Sequence, residues 1–514
     1  MRKHSGRTAY YISENLVITE PPDLFGAPEP EQPPTVAPFK FGWMFDRAPG
    51  LAPAPRQEMI DKLVKLGKAM NDAPPGGDTT IPSGYTYLGQ FIAHEISFDK
   101  TVSLDDEELS PESYRSPSLD LDSLYGIDPQ QGESRMLYDD KNPARLKVGQ
   151  TFAVPRANFE FEQDLPRNEN TGTALIGDER NDENLPVAQT TVAFVKFHNK
   201  IVETLANKGC AQDQLFNCAR VQVIKHFHCL IINDFLPRVL HEDVLNSVRA
   251  NGPSIFRVSN AADSYMPLEF SAAAFRLGHS MVRDKYEWNH YHSHDIIGAS
   301  EPVSELFSQT NFSGSIGKNG EPPRLTSDWI IDWRRFFDFT GFPKYDPPLT
   351  RNVASKIDTT LGFNLSRIPG FPPQSLTGDR RLLTSRNLLR GFAVGLLSGE
   401  EIAGRIGEPE LTADELGPGA AFEGHTPLWY YILKEAETRE QGKRLGKVGS
   451  RIVAETLVGL INASPFSLLK DPAWQPITGR VDPATNKPIF EMVDLLDFAD
   501  VVDPVGAHLK ELYG

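Results

Sequence analysis

The stretch PVAQTTVAFVKFHNKIVETLANK, residues 186–208, carries the clearest structural signal in the chain. Its apolar side chains recur at helical spacing, while lysine, asparagine and glutamate side chains fill much of the opposite face. The apolar set is Val192, Val195, Ile201, Val202 and Leu205. This pattern predicts a long amphipathic helix with one buried face.

Four further stretches have the same periodicity, and few segments alternate as strands would. They are residues 59–70, 220–240, 386–397 and 449–461. Long irregular connections at 100–175 and 284–380 separate them and suggest functional loops or a bound ion. The sequence therefore predicts a mainly α fold with little β structure, in which residues 56–514 form one large helical domain with long loop insertions.

The first 55 residues differ from the rest in their proline content. The runs PPDLFGAPEPEQPPTVAP (21–38) and APGLAPAP (48–55) favour extended, polyproline-like backbone over packed helix. We expect residues 1–55 to form a proline-rich arm that wraps the body.

Composition narrows the range of partners and compartments. A net charge of -17 argues against nucleic acid, because phosphate binding needs a basic surface. The three cysteines, Cys210, Cys218 and Cys229, lie within twenty residues of one another and do not frame a disulfide scaffold. Neither a membrane-spanning run nor a signal peptide is visible, so a cytoplasmic location is the default, with export by a non-classical route left open. The oligomeric state stays open.

Gln90 and His94 stand four residues apart in GYTYLGQFIAHEISFDKT, so on a helix both side chains point the same way. A neutral imidazole beside a bound peroxide can take its first proton and return it to the leaving oxygen. Gln90 can hold a water or an anion in the same pocket. The alternative for this segment alone is a structural histidine in the core.

LGQFIAHEISFD resembles the signature G-Q-x-x-x-H-D-x-x-F of the animal-type haem peroxidases, the peroxidase–cyclooxygenase superfamily, and the chain resembles a bacterial-like member. The resemblance implies haem b, hydrogen peroxide as oxidant, and catalytic roles for Gln90 and His94. Mammalian members carry an aspartate that forms an ester to the haem just before the histidine. Ala93 occupies that position here, so this link cannot form.

GDERNDENLP, residues 177–186, resembles the family stretch G-D-x-R-x-x-E-x-P, with the proline displaced by one. The resemblance makes Arg180 the catalytic arginine, which stabilises negative charge as the O–O bond breaks. It makes Glu183 the glutamate beside the haem rim, so at most one ester to haem can form. Asn184 replaces the methionine that forms a sulfonium bond in mammalian members. Without the family, the segment is a charged start of a helix.

EFSAAAFRLGHSMVRDKYEWN, residues 269–289, resembles the family's proximal helix, with His279 as the axial ligand of the iron. An iron-bound imidazole generally donates its other N–H to a nearby acceptor, and the resemblance assigns that role to Asn387. Arg390, three residues later, resembles the family arginine that pairs with a haem propionate. An ordinary arginine near a helix end is the alternative for Arg390.

SYRSPSLDLDSLYG, residues 113–126, predicts a calcium site. Oxygen-bearing residues alternate along it, so in an extended loop they converge on one side, and calcium takes six to eight such ligands. These residues are Ser116, Ser118, Asp120 and Asp122. The family has a similar loop, completed by the acidic residue after the distal histidine, here Glu95. A polar acidic loop without metal is the alternative, and the imidazoles His290, His292 and His294 form a weaker metal candidate.

Two activities follow from the resemblance. Cyclooxygenases and fatty-acid dioxygenases of the superfamily use a radical tyrosine three residues before the proximal histidine, where this chain has Arg276, as the true peroxidases do. The sequence thus favours a peroxidase that oxidises small organic donors, bromide, iodide or thiocyanate; without the sulfonium link, chloride is disfavoured. The alternative is a fatty-acid dioxygenase with a displaced radical at Tyr265 or Tyr286.

Overall fold

The computed structural model of the chain describes most of the body and short parts of the arm. The described residues are 9–12, 16–19, 39–46, 56–74, 76–98, 112–113, 115–127, 129–294, 299–348, 350–362, 365, 378–482 and 485–513. Most of the predicted proline-rich arm, including residues 20–38 and 47–55, lies outside them.

The described part of the chain is mainly α-helical, as the sequence predicts, and each of the five periodic stretches forms a helix or part of one. The α-helices are α1 Arg56–Asp72, α2 Gly84–Ile96, α3 Asp122–Tyr125, α4 Leu185–Asn207, α5 Leu215–Leu230, α6 Leu236–Val239, α7 Glu242–Asn251, α8 Leu268–Ser271, α9 Gly278–Met281, α10 Val303–Ser308, α11 Leu383–Ala393, α12 Gly399–Ile406, α13 Ala413–Leu416, α14 Leu428–Arg439, α15 Lys447–Ala463, α16 Met492–Phe498 and α17 Pro504–Tyr513. A π-helical turn, Ile231–Phe235, joins α5 to α6.

Short 3-10 turns lie in the connections between these helices. They are Gly132–Leu137, Glu179–Asp182, Ala261–Asp263, Ala274–Leu277, Ser327–Trp329, Trp333–Arg335, Gly378–Arg381, Gly417–Phe422 and Leu468–Lys470. Within the described ranges no helix is long and apolar enough to cross a membrane.

The strands are short and form small separate sheets. They are β1 Ala9–Ile12, β2 Leu16–Thr19, β3 Phe39–Gly42, β4 Asp78–Pro82, β5 Glu112–Ser113, β6 Met266–Pro267, β7 Lys285–Tyr286, β8 Glu301–Pro302, β9 Val353–Ser355, β10 Arg480–Val481 and β11 Pro488–Ile489. Antiparallel pairs form between β1 and β2, β3 and β5, β4 and β9, β7 and β8, and β10 and β11. Strand β3 also pairs with β6 in parallel.

Helix α4 is the centre of the core. It begins where Asn184 Oδ1 accepts a hydrogen bond from Val187 N, and Pro186 stands in its first turn, where a missing N–H costs nothing. Its buried face packs against α2, α5 and α16. The rings of Phe91 from α2 and Phe194 from α4 stack with centroids 4.6 Å apart. Because α2 and α4 are packed in this way, His94 on α2 faces the segment that precedes α4.

The described end of the arm is tied to the body beside the proximal segment. Trp43 Nε1 donates to Val394 O at 3.2 Å. The carboxylate of Glu269 accepts hydrogen bonds from the backbone N–H groups of Met44 and Phe45 at 2.8 and 3.2 Å. These contacts fix residues 40–46 against the chain that leads to His279.

Candidate active site

Helix α2 brings Gln90 and His94 to one face, and both side chains meet Glu183, just before α4. Gln90 Nε2 donates to Glu183 Oε2 at 3.2 Å, and His94 Nε2 lies 3.7 Å from the same oxygen. Gln90 Oε1 accepts from Asn184 Nδ2 at 3.0 Å. We call Gln90, His94, Arg180 and Glu183 the distal cluster.

The protonation of His94 is set by its surroundings. Its Nδ1 lies 2.9 Å from Asn181 Oδ1, an atom that can only accept, so Nδ1 carries the proton and Nε2 keeps its lone pair. Burial, together with the positive charge of Arg180, lowers the pKa of His94 to about 3. Nε2 is buried and has no hydrogen-bond partner. The ring is therefore a neutral base with its lone pair available.

Arg180 lies in the 3-10 turn Glu179–Asp182, before the first turn of α4. Its guanidinium donates to both carboxylate oxygens of Asp178, at 3.0 and 2.7 Å, and to the backbone oxygen of His94 at 2.8 Å. The guanidinium carbon lies 4.3 Å from the centroid of the Phe98 ring. The buried Nη1 has no hydrogen-bond partner. Arg180 thus reaches the backbone of His94, while its Nη1 amino group is left without a hydrogen-bond acceptor.

Asp178 holds two arginines at once. Arg115 Nε donates to it at 2.7 Å, beside the bonds from Arg180. Burial alone would raise the pKa of Asp178, but the charges of Arg180 and Arg115 outweigh it and hold that pKa well below its ordinary value. Arg115 also lies 3.6 Å from Asp122, in the predicted calcium loop. One buried ion network therefore joins the distal cluster to that loop.

His279 lies in α9, but the proximal segment is not the continuous helix that the sequence predicts. It forms α8, the 3-10 turn Ala274–Leu277 and α9 in succession. Ala273 has φ -139° and ψ -75°, outside the helical region, so the helix breaks there. Helix α9, in which His279 is buried, nevertheless packs against α2.

Asn387 on α11 meets His279: its amide nitrogen lies 3.0 Å from Nδ1 of the ring. The sequence expectation was that the amide oxygen would face the ring. Arg276 Nη1 instead donates to that oxygen at 3.1 Å, and its Nε donates to Ser271 O. Arg276, three residues before His279, thus hydrogen-bonds both Asn387 and the backbone of Ser271.

Arg390 and Arg386 are buried on the same face of α11, one turn apart. Burial, and then the positive charges of Arg276 and Arg386, lower the pKa of His279 to about 3. Burial and the charges of Arg276 and Arg381 lower the pKa of Arg386 itself to about 9. The proximal side is therefore rich in positive charge.

Glu95, Asp120 and Asp122 converge, with one carboxylate oxygen of each within 4.8 Å of the others. Glu95 also accepts from the backbone N–H groups of Asp122 and Ser123, at 3.0 and 3.1 Å. Burial, and then the charge of Asp122, raise the pKa of Glu95. Burial raises the pKa of Asp122 to about 7. The Oδ1 atoms of both aspartates are buried without hydrogen-bond partners. This donor set suits a hard cation.

The sequence predicts an extended loop for these acids, but the loop is folded. Leu119 and Leu121 have φ of 51° and 58°, and Asp122 begins α3. The left-handed backbone folds the loop tightly. Ser116 N donates to Asp122 Oδ2 at 3.1 Å, and Ser118 N donates to Ser116 Oγ at 3.2 Å. Both serines are buried in the same loop.

The three alternating histidines do not converge. His292 Nδ1 lies 2.8 Å from Glu301 and its Nε2 lies 2.8 Å from an Arg156 nitrogen. His294 Nδ1 lies 2.8 Å from Glu287. Within the described ranges, only the cluster of Glu95, Asp120 and Asp122 brings metal-binding side chains together.

The residues present fit a haem between the two histidines. His94 Nε2 and Arg180 Nη1 are buried polar atoms without partners, as expected on the side where a small ligand reacts. A side chain added at Gly278, the residue before His279, would meet no atom within 4 Å outside its chain neighbours, so there is open space at this point of the proximal segment. An iron-bound imidazole generally donates its Nδ1–H to an acceptor, so iron ligation by His279 requires the Asn387 amide to turn its oxygen, rather than the nitrogen that now faces it, toward Nδ1.

Residues 96–319 match the family model of the animal haem peroxidases. This part of the chain is similar to an animal haem peroxidase domain. The match begins two residues after His94 and includes Arg180, Glu183, His279 and the acidic loop. The family resemblance drawn from the sequence motifs is confirmed.

Curated relatives of the peroxidase domain are distant and longer than this chain. A peroxidase-like protein of Margaritifera margaritifera is 33% identical over 251 residues, which are 43% of this chain and 29% of the relative. The chorion peroxidase of Drosophila melanogaster is 22% identical over 310 residues, 58% of this chain and 34% of the relative. The chain spans about a third of these two proteins.

Solved structures with a similar fold include a peroxidase and a fatty acid dioxygenase. Peroxidase A from Dictyostelium discoideum has a TM-score of 0.55 at 14% identity, covering 84% of this chain and 88% of that one. The fatty acid alpha-dioxygenase of Oryza sativa also has a TM-score of 0.55, at 12% identity, covering 90% and 80%. These likenesses show a shared helical fold.

Three residues of the site were given no role from the sequence. Asp178 lies inside the quoted motif, where its position two residues before Arg180 was the available signal. Asn181, which orients His94, lies in the same motif but reads as part of a charged turn. Arg386 precedes Asn387 directly, and only the fold shows that it is buried beside the proximal histidine.

We predict that Asp178→Asn lowers the free energy of unfolding by about 3–5 kcal/mol, because Arg115 and Arg180 lose their shared buried counter-ion. The folded pKa of Asp178 is depressed. Its contribution is therefore present above the unfolded value of roughly 3.9 and is lost as pH falls through the lower folded pKa. Urea unfolding of both proteins across pH measures this.

The exposed Asp213→Asn is the matched control and should change stability by less than about 0.5 kcal/mol. If the free energies of unfolding of Asp178→Asn and the unsubstituted chain were nearly equal at neutral pH, that result would contradict the stabilising role of the ion network.

Proposed function

We propose that the chain is a haem peroxidase, an oxidoreductase that uses hydrogen peroxide to oxidise small organic donors or anions such as bromide, iodide or thiocyanate. The observation that carries the proposal is the distal cluster. His94 is neutral, its Nδ1 proton is directed to Asn181, and its Nε2 is a buried base without a partner near Arg180. The family resemblance assigns iron ligation to His279, which is buried in α9.

When bound, the haem supplies an iron that binds peroxide and accepts its oxidising equivalents. His94 Nε2 takes the proton of the incoming peroxide and later delivers it to the leaving oxygen. The free Nη1 group of Arg180 stabilises negative charge during O–O cleavage, and its bonds to Asp178 hold it ready for that task. Gln90 holds a water or an anion beside His94.

On the proximal side, His279 would ligate the iron and Asn387 would hold the ring in place. Arg390, buried on α11, would pair with a haem propionate, as the family resemblance implies. An iron site here would therefore be held by two elements, α9 and α11, that are far apart in the sequence.

The choice of donor follows from the residues around Glu183. Asn184 caps α4 and bonds Gln90, so the residue that replaces the family's methionine has a structural role and forms no sulfonium link. That link is associated with chloride oxidation in the family. Bromide, iodide, thiocyanate and phenolic donors are therefore the proposed substrates.

Calcium is proposed at Glu95, Asp120 and Asp122, with Ser116 and Ser118 in the same loop. The partly unsatisfied carboxylates support it. Two of the flanking cations, Arg115 and Arg220, lie 3.6 and 3.8 Å from Asp122 and Asp120 and leave the three acids with excess negative charge. Because Glu95 follows His94, an ion here would stiffen the helix that carries the base.

A fatty-acid dioxygenase is the second candidate, favoured by the likeness to the alpha-dioxygenase structures. Of the two displaced tyrosines, Tyr286 packs near the distal helix, with its ring 5.9 Å from that of Tyr87. Its hydroxyl accepts from Arg283 N at 2.9 Å. Tyr265 instead donates to Trp43 O in the arm. Tyr286 is therefore the tyrosine to test.

We predict that His94→Ala slows the reaction with hydrogen peroxide by about 100-fold or more, because the general base is lost, while the Soret band is retained. In the unsubstituted protein the rate should stay level between roughly pH 5 and pH 8, since the pKa of His94 is about 3. Stopped-flow absorbance on the haem-reconstituted chain measures both.

The same preparations separate the two activities. Bromide or phenol oxidation with peroxide is expected, unaffected by Tyr286→Phe. Oxygen uptake with linoleate, lost in Tyr286→Phe and unaccompanied by halide or phenol oxidation, would overturn the peroxidase assignment. A normal peroxide reaction in His94→Ala would show that His94 is not the base.

We predict that any haem resisting extraction by acidified organic solvent becomes fully extractable in Glu183→Gln, because Glu183 is the single residue left to form an ester. The half-buried Glu179→Gln, in the neighbouring turn, is the control and should leave extraction unchanged. Protein-bound haem that persists in Glu183→Gln would contradict this assignment.

We predict that calcium added to the chelator-treated chain raises its melting temperature by about 2 °C or more, because the ion binds the folded state alone. Asp122→Asn should abolish this shift. The exposed Asp140→Asn, at the surface ion pairs with Arg135 and Lys147, should retain it. If calcium raised the melting temperature of Asp122→Asn by the same amount, the acidic cluster would not be the calcium site.

A further inference from the structure

Arg386 is a buried arginine without a counter-ion. Its residue is 6% exposed, and neither Nε nor Nη1 has a hydrogen-bond partner. Three other buried arginines do have acids: Arg115 and Arg180 share Asp178, and Arg167 binds Asp164 and Asp182. Desolvated guanidinium groups are normally paired with carboxylate or phosphate. We therefore expect the partner of Arg386 to be a ligand rather than a residue of the chain.

The surroundings of Arg386 make this need stronger. The charges that act on it most are those of Arg276 and Arg381, both positive. Arg276 is held in place by Asn387 and Ser271, so it stays beside Arg386. A ligand for this place must therefore be an anion, and a carboxylate matches the fork of an arginine.

The position of Arg386 indicates which carboxylate. It directly precedes Asn387, whose amide lies 3.0 Å from His279, and its charge acts on the His279 ring. Haem carries two propionate carboxylates on one edge of its ring, and Arg390, one turn along α11, accounts for one of them by family resemblance. The other propionate would reach the same proximal region once the iron is bound to His279.

We infer that Arg386 binds a haem propionate and is a second anchor of the cofactor besides Arg390. This inference rests on the haem binding of the proposed function. The carboxylate of a fatty acid has the same chemistry. Haem is favoured because Arg386 lies on α11, next to Asn387, and the amide of Asn387 contacts His279, the proposed iron ligand.

The experiment titrates the full-length apo chain with haemin and, separately, with haemin dimethyl ester, whose propionates carry no charge. Absorbance in the Soret region gives the dissociation constant. Arg386→Met keeps the length of the side chain and removes the charge. The exposed Arg381→Met removes a neighbouring positive charge without touching the buried site.

Arg386→Met should weaken haemin binding by about 10-fold to 100-fold, the usual effect of a charged hydrogen bond, and should leave binding of the dimethyl ester unchanged. Arg381→Met should change neither by more than about twofold. The apo form of Arg386→Met should unfold at a higher urea concentration than the unsubstituted apo chain, because an unpaired buried charge has been removed. If Arg386 only stabilised the fold, the apo form of Arg386→Met would instead unfold at a lower urea concentration.

Equal haemin affinity in Arg386→Met, or equal weakening for haemin and its dimethyl ester, would overturn the inference. So would loss of linoleate binding with haemin affinity intact, which would assign the carboxylate to a fatty acid. Failure of the unsubstituted chain to bind haemin would overturn the proposed function itself, and that result is visible before any variant is made.

Discussion

The site depends on the buried carboxylate of Asp178 between Arg115 and Arg180. Ion pairs of this kind are costly to bury and strongly destabilising when one partner is removed. Here the network spans three segments: Arg180 continues to the backbone of His94, and Arg115 continues to Asp122. It fixes the distance between the helix of the distal histidine and the turn before α4. The distal cluster exists because that turn cannot move away from α2.

The structure separates groups that are satisfied from groups that are not. Asp164, Asp178 and Asp182 neutralise the buried arginines that shape the distal wall. Buried polar atoms without partners occur at several places in the described chain, and some of them lie where a ligand is expected: His94 Nε2 and Arg180 Nη1 on the distal side, and Arg386 on the proximal side. Because buried polar groups normally have partners, these atoms support a ligand beside each of the two histidines. These atoms suit a bound group that reacts beside His94 and Arg180 and that carries an anionic edge near Arg386.

Local patterns predicted much of the fold and part of the site. The periodicity of residues 186–208 predicted α4, and the spacing of Gln90 and His94 predicted their common face, because both depend on helical geometry alone. The proximal helix was predicted as continuous and is broken at Ala273, since tertiary packing rather than propensity sets that backbone. The acidic loop was expected to be extended, but left-handed residues Leu119 and Leu121 fold it. The isolation of Arg386 could not be foreseen, because the absence of a counter-ion is a property of the assembled fold.

We propose that His279 ligates the haem iron and that His94 does not. Resonance Raman spectroscopy of the ferrous, haem-reconstituted chain tests it most directly, through the iron–histidine stretching band. We expect this band to be present in the unsubstituted chain and in His94→Ala, to disappear in His279→Ala, and to return when imidazole is added to His279→Ala. A band that survives in His279→Ala, or that is lost in His94→Ala, would contradict the assignment of the two faces.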